Sequence, residues 1–203
     1  MLPQTDNGGK ENGDQERGNR IAESGLLWLT KQEKESLIPQ RAKKAASFLI
    51  APEIQRRFFG TLGIDYTEGN ARALKVRDSQ MNLVVTNDTS PENVELTLSG
   101  WALIGVPLDP SIPAESQARG CQIWVSGRLE VDCTSKSVNV FEVVGVGQAW
   151  GRMWPTAGRA TYLGQRVWDY GIAWKLASPK NAVDRIPPYN LLHYSNGDYW
   201  GQR

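Results

Sequence analysis

Residue types that bind metals or carry redox chemistry are scarce in this chain. Its 203 residues include two cysteines, Cys121 and Cys133, and one histidine, His193. Twelve positions of extended chain separate the two cysteines at roughly 3.3 Å per residue, which is too far for a disulfide bond. Two cysteines and one histidine are also too few for a zinc site. We therefore expect reduced thiols, no metal and no cofactor.

Long apolar stretches are missing as well. A membrane-spanning helix needs about 20 consecutive apolar residues, and no part of the sequence approaches that length. The first 23 residues are polar, rich in Gly and Asn and without periodicity, which predicts a disordered tail. This tail lacks the apolar segment of a secretory signal and is too acidic for an organellar presequence. We expect no membrane span, and a presequence that is removed or absent.

Sequence motifs of enzymes are not found. The patterns G-x-S-x-G, H-x-x-x-H and G-x-x-x-x-G-K-[ST] do not occur, and the carboxylates form no pair on a shared strand face. The glycines in 145–151 superficially match a dinucleotide-binding loop, but Trp150 and Pro155 disfavour the helix that must follow such a loop. The sequence therefore predicts a protein that is not an enzyme.

The most informative pattern lies in residues 120–151, which predict two β-strands joined by a polar, basic loop. Apolar side chains alternate along 122–131 and share one face of the first strand: Ile123, Val125, Leu129 and Val131. Trp124 and Arg128 fall on the opposite face with polar neighbours. Residues 133–139 are turn-forming, and 140–146 are apolar and β-branched enough to form the partner strand.

The flanking segments predict a β-rich core between two extensions. Residues 30–48 favour a helix with Thr30 as N-cap, Glu33 at the capping-box spacing and Pro39 as an interruption. Further strands are predicted at 56–65, 71–85 and 94–104, a loop at 106–118 and a short helix at 167–176. The predicted organisation is a tail at 1–23, a helical extension at 24–55, a β-domain at 56–151 and an aromatic, basic extension at 152–203.

The hairpin segment resembles the centre of the bacterial-type single-stranded DNA-binding protein family. It has a small-residue start, an aromatic, V-x-G-R-L, a basic tip and then E-V-V, and R-R-F-F-G-T-L-G at 56–63 is similar to the family's first strand. Pro188, Gly197 and Trp200 partly match a C-terminal motif of plant organellar members.

The resemblance implies an all-β core in the form of an oligonucleotide-binding (OB) Greek-key barrel of about five strands. Short N-terminal helices and an irregular aromatic-rich C-terminal extension flank it. It also implies a homo-oligomer, a tetramer in the family, and a location in a mitochondrion or plastid, with a bacterial cytoplasm as the alternative.

The candidate nucleic-acid-binding residues are aromatic or basic. Trp101 falls where the family has a base-stacking tryptophan, and its phase is opposite to the apolar set of its strand. Trp124 faces outward, so it serves a base or a subunit interface equally well. Arg128 suits a phosphate or a neighbouring acid. The other candidates are Lys136 at the hairpin tip, Arg56 and Arg57, and the tail residues Trp168, Trp174 and Trp200, most of which we expect to be buried.

These features predict a protein that binds single-stranded DNA with little sequence selectivity, in organellar DNA replication and recombination. Stacking on aromatic side chains contributes ~1–3 kcal/mol per base. Single-stranded RNA stays open as the ligand, because stacking surfaces serve both nucleic acids. The second alternative is a structural OB-fold subunit of a large organellar assembly, such as a ribosome, a polymerase or a respiratory or photosynthetic complex, with its aromatics buried against protein partners.

Overall fold

The computed structural model describes residues 20–39, 45–60, 75–90, 92–113, 116–151, 167–178 and 180–182. These residues form two short helices, α1 (Lys31–Ser36) and α2 (Pro52–Gly60). They also form seven strands: β1 (Arg20–Leu27), β2 (Ser47–Leu49), β3 (Val76–Ser90), β4 (Asn93–Gly105), β5 (Gly120–Asp132), β6 (Ser137–Trp150) and β7 (Trp168–Leu176). No helix in these ranges is long and apolar enough to cross a membrane.

All seven strands belong to one open sheet in the order β1-β7-β6-β5-β4-β3-β2. Strands β2 to β7 follow one another as an antiparallel meander. The first strand, β1, pairs in parallel with β7, so the sheet is mixed. The two edges are therefore β1 and the three-residue β2.

The all-β class is confirmed, but the prediction of a five-stranded Greek-key barrel is wrong. The segment expected to provide the first barrel strand, 56–65, is helical up to Gly60, and its last five residues lie outside the described ranges. Pro52 suits the first position of a helix, and Ile54 and Phe58 are four residues apart on its buried face. Without a strand there, β6 has β7 as its second neighbour and the sheet stays open.

The C-terminal extension is not wholly irregular, because residues 168–176 form β7. The short helix predicted for this segment is wrong. Large side chains alternate with small or charged ones, a period of two that is typical of a strand: Trp168, Tyr170, Ile172, Trp174 and Leu176. Its partner β1 begins at Arg20, inside the segment predicted to be a disordered tail.

The predicted hairpin and the predicted helix cap are confirmed. Strands β5 and β6 pair from Gly120–Trp150 to Asp132–Ser137 with one irregularity after Glu130. At α1 the Thr30 hydroxyl accepts a hydrogen bond from the backbone N–H of Glu33, and the Glu33 carboxylate accepts one from the backbone N–H of Thr30. The helix ends at Ser36, before Pro39.

The core lies on one side of the sheet, which we call the inner face. Alternate residues of β3 to β7 are buried there, including Leu83, Leu98, Ile123 and Val143. Helix α2 contributes Phe58 and Phe59 to the same cluster and so covers this face. The opposite side, the outer face, carries the polar and exposed residues of the strands, and the candidate site is on it.

Candidate nucleic-acid interface

The outer face brings Trp101 and Trp124 together. They are directly opposite each other on β4 and β5, and their other neighbours in the register are Gln80 on β3 and Val146 on β6. Val146 is in turn opposite Gly171 on β7. We call these five residues the tryptophan row. Because directly opposite side chains have Cβ atoms about 4.5–5.5 Å apart, the two indoles are cross-strand neighbours.

Both tryptophans of this row reach solvent. Trp124 is 51 % exposed, whereas the apolar residues on either side of it in β5, Ile123 and Val125, are buried. Trp101 is partly exposed, and its neighbour Ala102 is buried. The period of two in each strand therefore places the indoles on the outer face, in the phase that the sequence indicates.

Two valines extend the exposed apolar surface next to Trp124. Val144 is 57 % and Val146 is 65 % exposed, both on the outer face of β6. A contiguous apolar patch that is left in contact with water is a frequent mark of a binding surface. Sequence patterning missed these residues, because β6 is apolar on both faces from Val143 to Val146 and offers no polar alternation to read.

Arg128 is on the outer face too, but carboxylates already surround its guanidinium. Its Nη2 is 3.2 Å from Glu142 on β6, and its Nη1 is 3.0 Å from Glu130 on its own strand. Glu142 is also opposite Lys175 in the register with β7. Arg128, Glu142 and Lys175 thus alternate in charge across three strands, which is favourable. The two carboxylates leave little net positive charge at Arg128 for a phosphate.

Arg57 lies elsewhere and is not available to line a groove. Its side chain is 6 % exposed, and its Nη1 donates a hydrogen bond to Glu33 at 2.7 Å. The carboxylate that completes the capping box of α1 thus also binds α2. Arg57, predicted to contact nucleic acid, thus lies in a helix on the inner-face side, where its charge is paired and buried.

Arg56 and Lys136 are exposed but distant from the tryptophan row. Arg56 is on α2, which covers the opposite side of the sheet. Lys136 is at the tip of the β5–β6 hairpin, and the eight residues from Trp124 to Asp132 span roughly 26 Å at the rise of a strand. At this tip the pKa of the Asp132 carboxyl is below its ordinary value. The main cause is a hydrogen bond from the Ser135 hydroxyl, and the next is one from the Ser135 backbone N–H.

The tail tryptophans divide into one core residue and two that the described part does not cover. Trp174 is 2 % exposed on the inner face of β7, and its ring centroid is 4.4 Å from that of Phe58. Trp174 was a candidate for base stacking with burial as the alternative, and the structure shows it buried. The backbone of Trp168 opens β7, but its side chain lies outside the described residues, and so does the whole of Trp200.

Trp174 packs in the core against Gly145, a residue of the neighbouring strand β6 that has no side chain. A Cβ at Gly145 on β6 would be 2.9 Å from Cζ3 of Trp174 and 2.7 Å from Cδ1 of Ile123. A glycine at this position lets the indole pack directly on the sheet.

A second row of the outer face lies beside the tryptophan row, and on each strand its member is two residues away from the member of the tryptophan row. Its members are register partners from β3 to β7: Asp78, Leu103, Gln122, Gln148 and Asp169. We call it the amide row. Gln148 on β6 and Asp169 on β7 are exposed, and their pairing could not be expected while 167–176 was predicted to be a helix. The alternation of Trp168 to Leu176 is the signal that reveals them.

No family model, curated protein or solved structure matches this chain. The interpretation of the outer face therefore rests on its own chemistry.

Proposed function

We propose that the protein binds single-stranded nucleic acid, DNA in the first instance, on the outer face of its sheet. The observation that carries this proposal is the solvent-exposed Trp101–Trp124 pair, two aromatic surfaces on adjacent strands. Stacking of unpaired bases on such surfaces contributes about 1–3 kcal/mol per base and depends little on sequence. The proposal needs no closed barrel, because an open sheet presents the same row of side chains.

Charge has a minor part in the proposed binding. Arg128 is paired with two acids and Arg57 is buried, so among the side chains that the structure describes few cations face a phosphate near the tryptophan row. For single strands, the slope of log K against log salt is about −0.7 per neutralised phosphate. We expect a slope of magnitude below about 2, shallower than for a protein that holds the backbone with many lysines and arginines.

Titration with oligo-dT and oligo-U tests the proposal through intrinsic tryptophan fluorescence. Bases stacked on Trp101 and Trp124 should quench the emission. In the variant with Trp101→Phe and Trp124→Phe we expect the affinity for a labelled oligomer to be retained and most of the quenching to be lost, because phenylalanine keeps the π-face. If neither oligomer quenches the emission at low salt, single-strand binding is ruled out.

A second function has support from the exposed valines. As a subunit of a larger assembly, organellar by prediction, the protein would cover Trp124, Val144 and Val146 with a partner surface, since exposed apolar patches commonly mark protein interfaces. In that case oligomers do not bind, and Val144→Thr with Val146→Thr weakens association in sedimentation velocity. For a nucleic-acid-binding protein the same double variant still binds oligo-dT and still shows the quenching, because Trp101 and Trp124 keep the stacking surface.

A further inference from the structure

A depression of about 590 Å³ opens on the outer face where β5, β6 and β7 are adjacent. Trp124 and Val146 form its apolar wall, and Gln148 and Asp169 are at its polar side. The remaining lining residues are Gly147, Tyr170 and Gly171. Its volume falls in the range of about 300–1,000 Å³ that small-molecule sites occupy.

The depression exists because the tryptophan row ends in a glycine. Gly171 is opposite Val146 and presents no side chain on the outer face, so the surface is lowered there beside Trp124. Gly147 in the adjoining backbone accepts no side chain, since a Cβ would be 2.0 Å from the carbonyl oxygen of Gln122. A flat ring that stacks against Trp124 has room in this place.

The polar side of the depression has an ordered set of hydrogen-bonding groups. Gln148 and Asp169 are directly opposite each other across β6 and β7, so their Cβ atoms are about 4.5–5.5 Å apart. Both are exposed, and among the described side chains neither has a hydrogen-bond or ion-pair partner. On its other side Asp169 is opposite Arg20 of β1 in the register. With the amide of Gln148 turned so that its NH2 group faces the depression, the pair presents an amide donor beside two carboxylate acceptors.

This donor–acceptor–acceptor order is complementary to guanine. The Watson–Crick edge of guanine presents the O6 acceptor, then the N1–H donor and the N2–H donor. Thymine and uracil have a single N–H between two carbonyl oxygens, and the oxygens face the carboxylate unfavourably. Adenine and cytosine have one amino donor beside a ring-nitrogen acceptor, so they satisfy only one carboxylate oxygen.

We propose that this depression is a base-reading subsite that prefers guanine, with the ring against Trp124, O6 accepting from Gln148, and N1–H and N2–H donating to Asp169. The proposal rests on the proposed single-strand binding and adds a preference to it. A bidentate pair discriminates by about 1–3 kcal/mol, so one guanine in an oligo-dT strand should tighten binding by roughly fivefold or more.

The test compares oligo-dT, oligo-dT with one central guanine, and the same strand with hypoxanthine, which lacks the 2-amino group. We expect hypoxanthine to lose most of the gain. Asp169→Asn should abolish the guanine preference and keep oligo-dT affinity within about twofold, because asparagine turns one acceptor into a donor. Asp78→Asn is the matched control, since Asp78 is in the same row and also exposed, but on β3.

The two proposals fail in different ways. Oligo-dT binding without a guanine preference overturns the subsite and leaves the proposed function intact, whereas no binding of any strand overturns both. An equal loss of preference in Asp78→Asn attributes the effect to general charge and contradicts the subsite. A separate titration uses guanosine monophosphate. If it binds as tightly as the guanine-containing strand, the ligand of the depression is a free nucleotide, and the proposal of a subsite for a base within a strand is wrong.

Discussion

Two tryptophans on β5 and β7 of the same sheet have opposite roles. Trp124 is half exposed on the outer face, and Trp174 is buried against Phe58 on the inner face. Residue type does not separate them, because both are tryptophans in strands of the same sheet. Their position in the period of two separates them, and for Trp174 that period becomes readable only once residues 168–176 are recognised as a strand.

At the two outer-face tryptophans we expect substitutions to reduce binding. Trp101→Ala and Trp124→Ala should each weaken oligo-dT binding by about 1–3 kcal/mol, the contribution of one stacked base. Their effect on the free energy of unfolding should be small, since Trp124 is exposed and Trp101 partly so. Fluorescence anisotropy with a labelled oligomer and urea unfolding measure the two effects. If Trp101→Ala lowers stability and leaves binding unchanged, Trp101 is a core residue.

For Trp174 we expect the reverse pattern. Trp174→Ala removes a buried ring from the core and should lower the free energy of unfolding by about 3–5 kcal/mol. The affinity of the folded fraction for oligo-dT should stay within about twofold, because this indole is 2 % exposed and faces the inner side. A selective loss of binding with stability intact would contradict its assignment to the core.

The contact between the elements α1 and α2 depends on the carboxylate of Glu33, which accepts several hydrogen bonds. Glu33 accepts hydrogen bonds from the Thr30 backbone and hydroxyl and from Arg57 of the second helix. Its side chain is 13 % exposed and that of Arg57 is 6 % exposed. Removal of one member of a buried ion pair leaves the other charge without compensation, which costs more than the pair itself contributes.

We therefore expect Glu33→Gln to lower the free energy of unfolding by about 3–5 kcal/mol. The control is Glu35→Gln on the same helix. Glu35 is 4.0 Å from Lys31, which is 93 % exposed, and such i,i+4 pairs contribute only about 0.3–0.5 kcal/mol. Urea denaturation at neutral pH measures both variants, and similar small losses in both would show that the Glu33–Arg57 pair is not important for stability.

Local signals were sufficient for some elements and insufficient for others. The capping box of Thr30 and Glu33 and the alternation of β5 are complete within a few residues, and both were predicted from the sequence. Residues 56–60 were predicted as part of a strand, because the resemblance of 56–63 to a family was given more importance than Pro52 at a helix start. For 168–176 the period of two was present and was read as a helix.

For the whole molecule, the candidate site depends on which strands are neighbours. Trp101 and Trp124 were both predicted as site residues, but that they are directly opposite each other follows from the register of β4 with β5. The pairing of β1 with β7 joins residues far apart in the sequence. No local pattern encodes such pairing, so the open sheet, the amide row and the depression beside Trp124 became visible only in three dimensions.

The location of the bound strand on the protein tests the central claim most directly. Oligo-dT with 5-iodouracil at single positions is irradiated in complex with the protein, and the crosslinked peptides are identified by mass spectrometry. We predict crosslinks at Trp101 on β4 and Trp124 on β5, the exposed pair of the outer face. Crosslinks confined to α2 and the other elements of the opposite side would contradict the account, as would an absence of crosslinks at saturating oligomer.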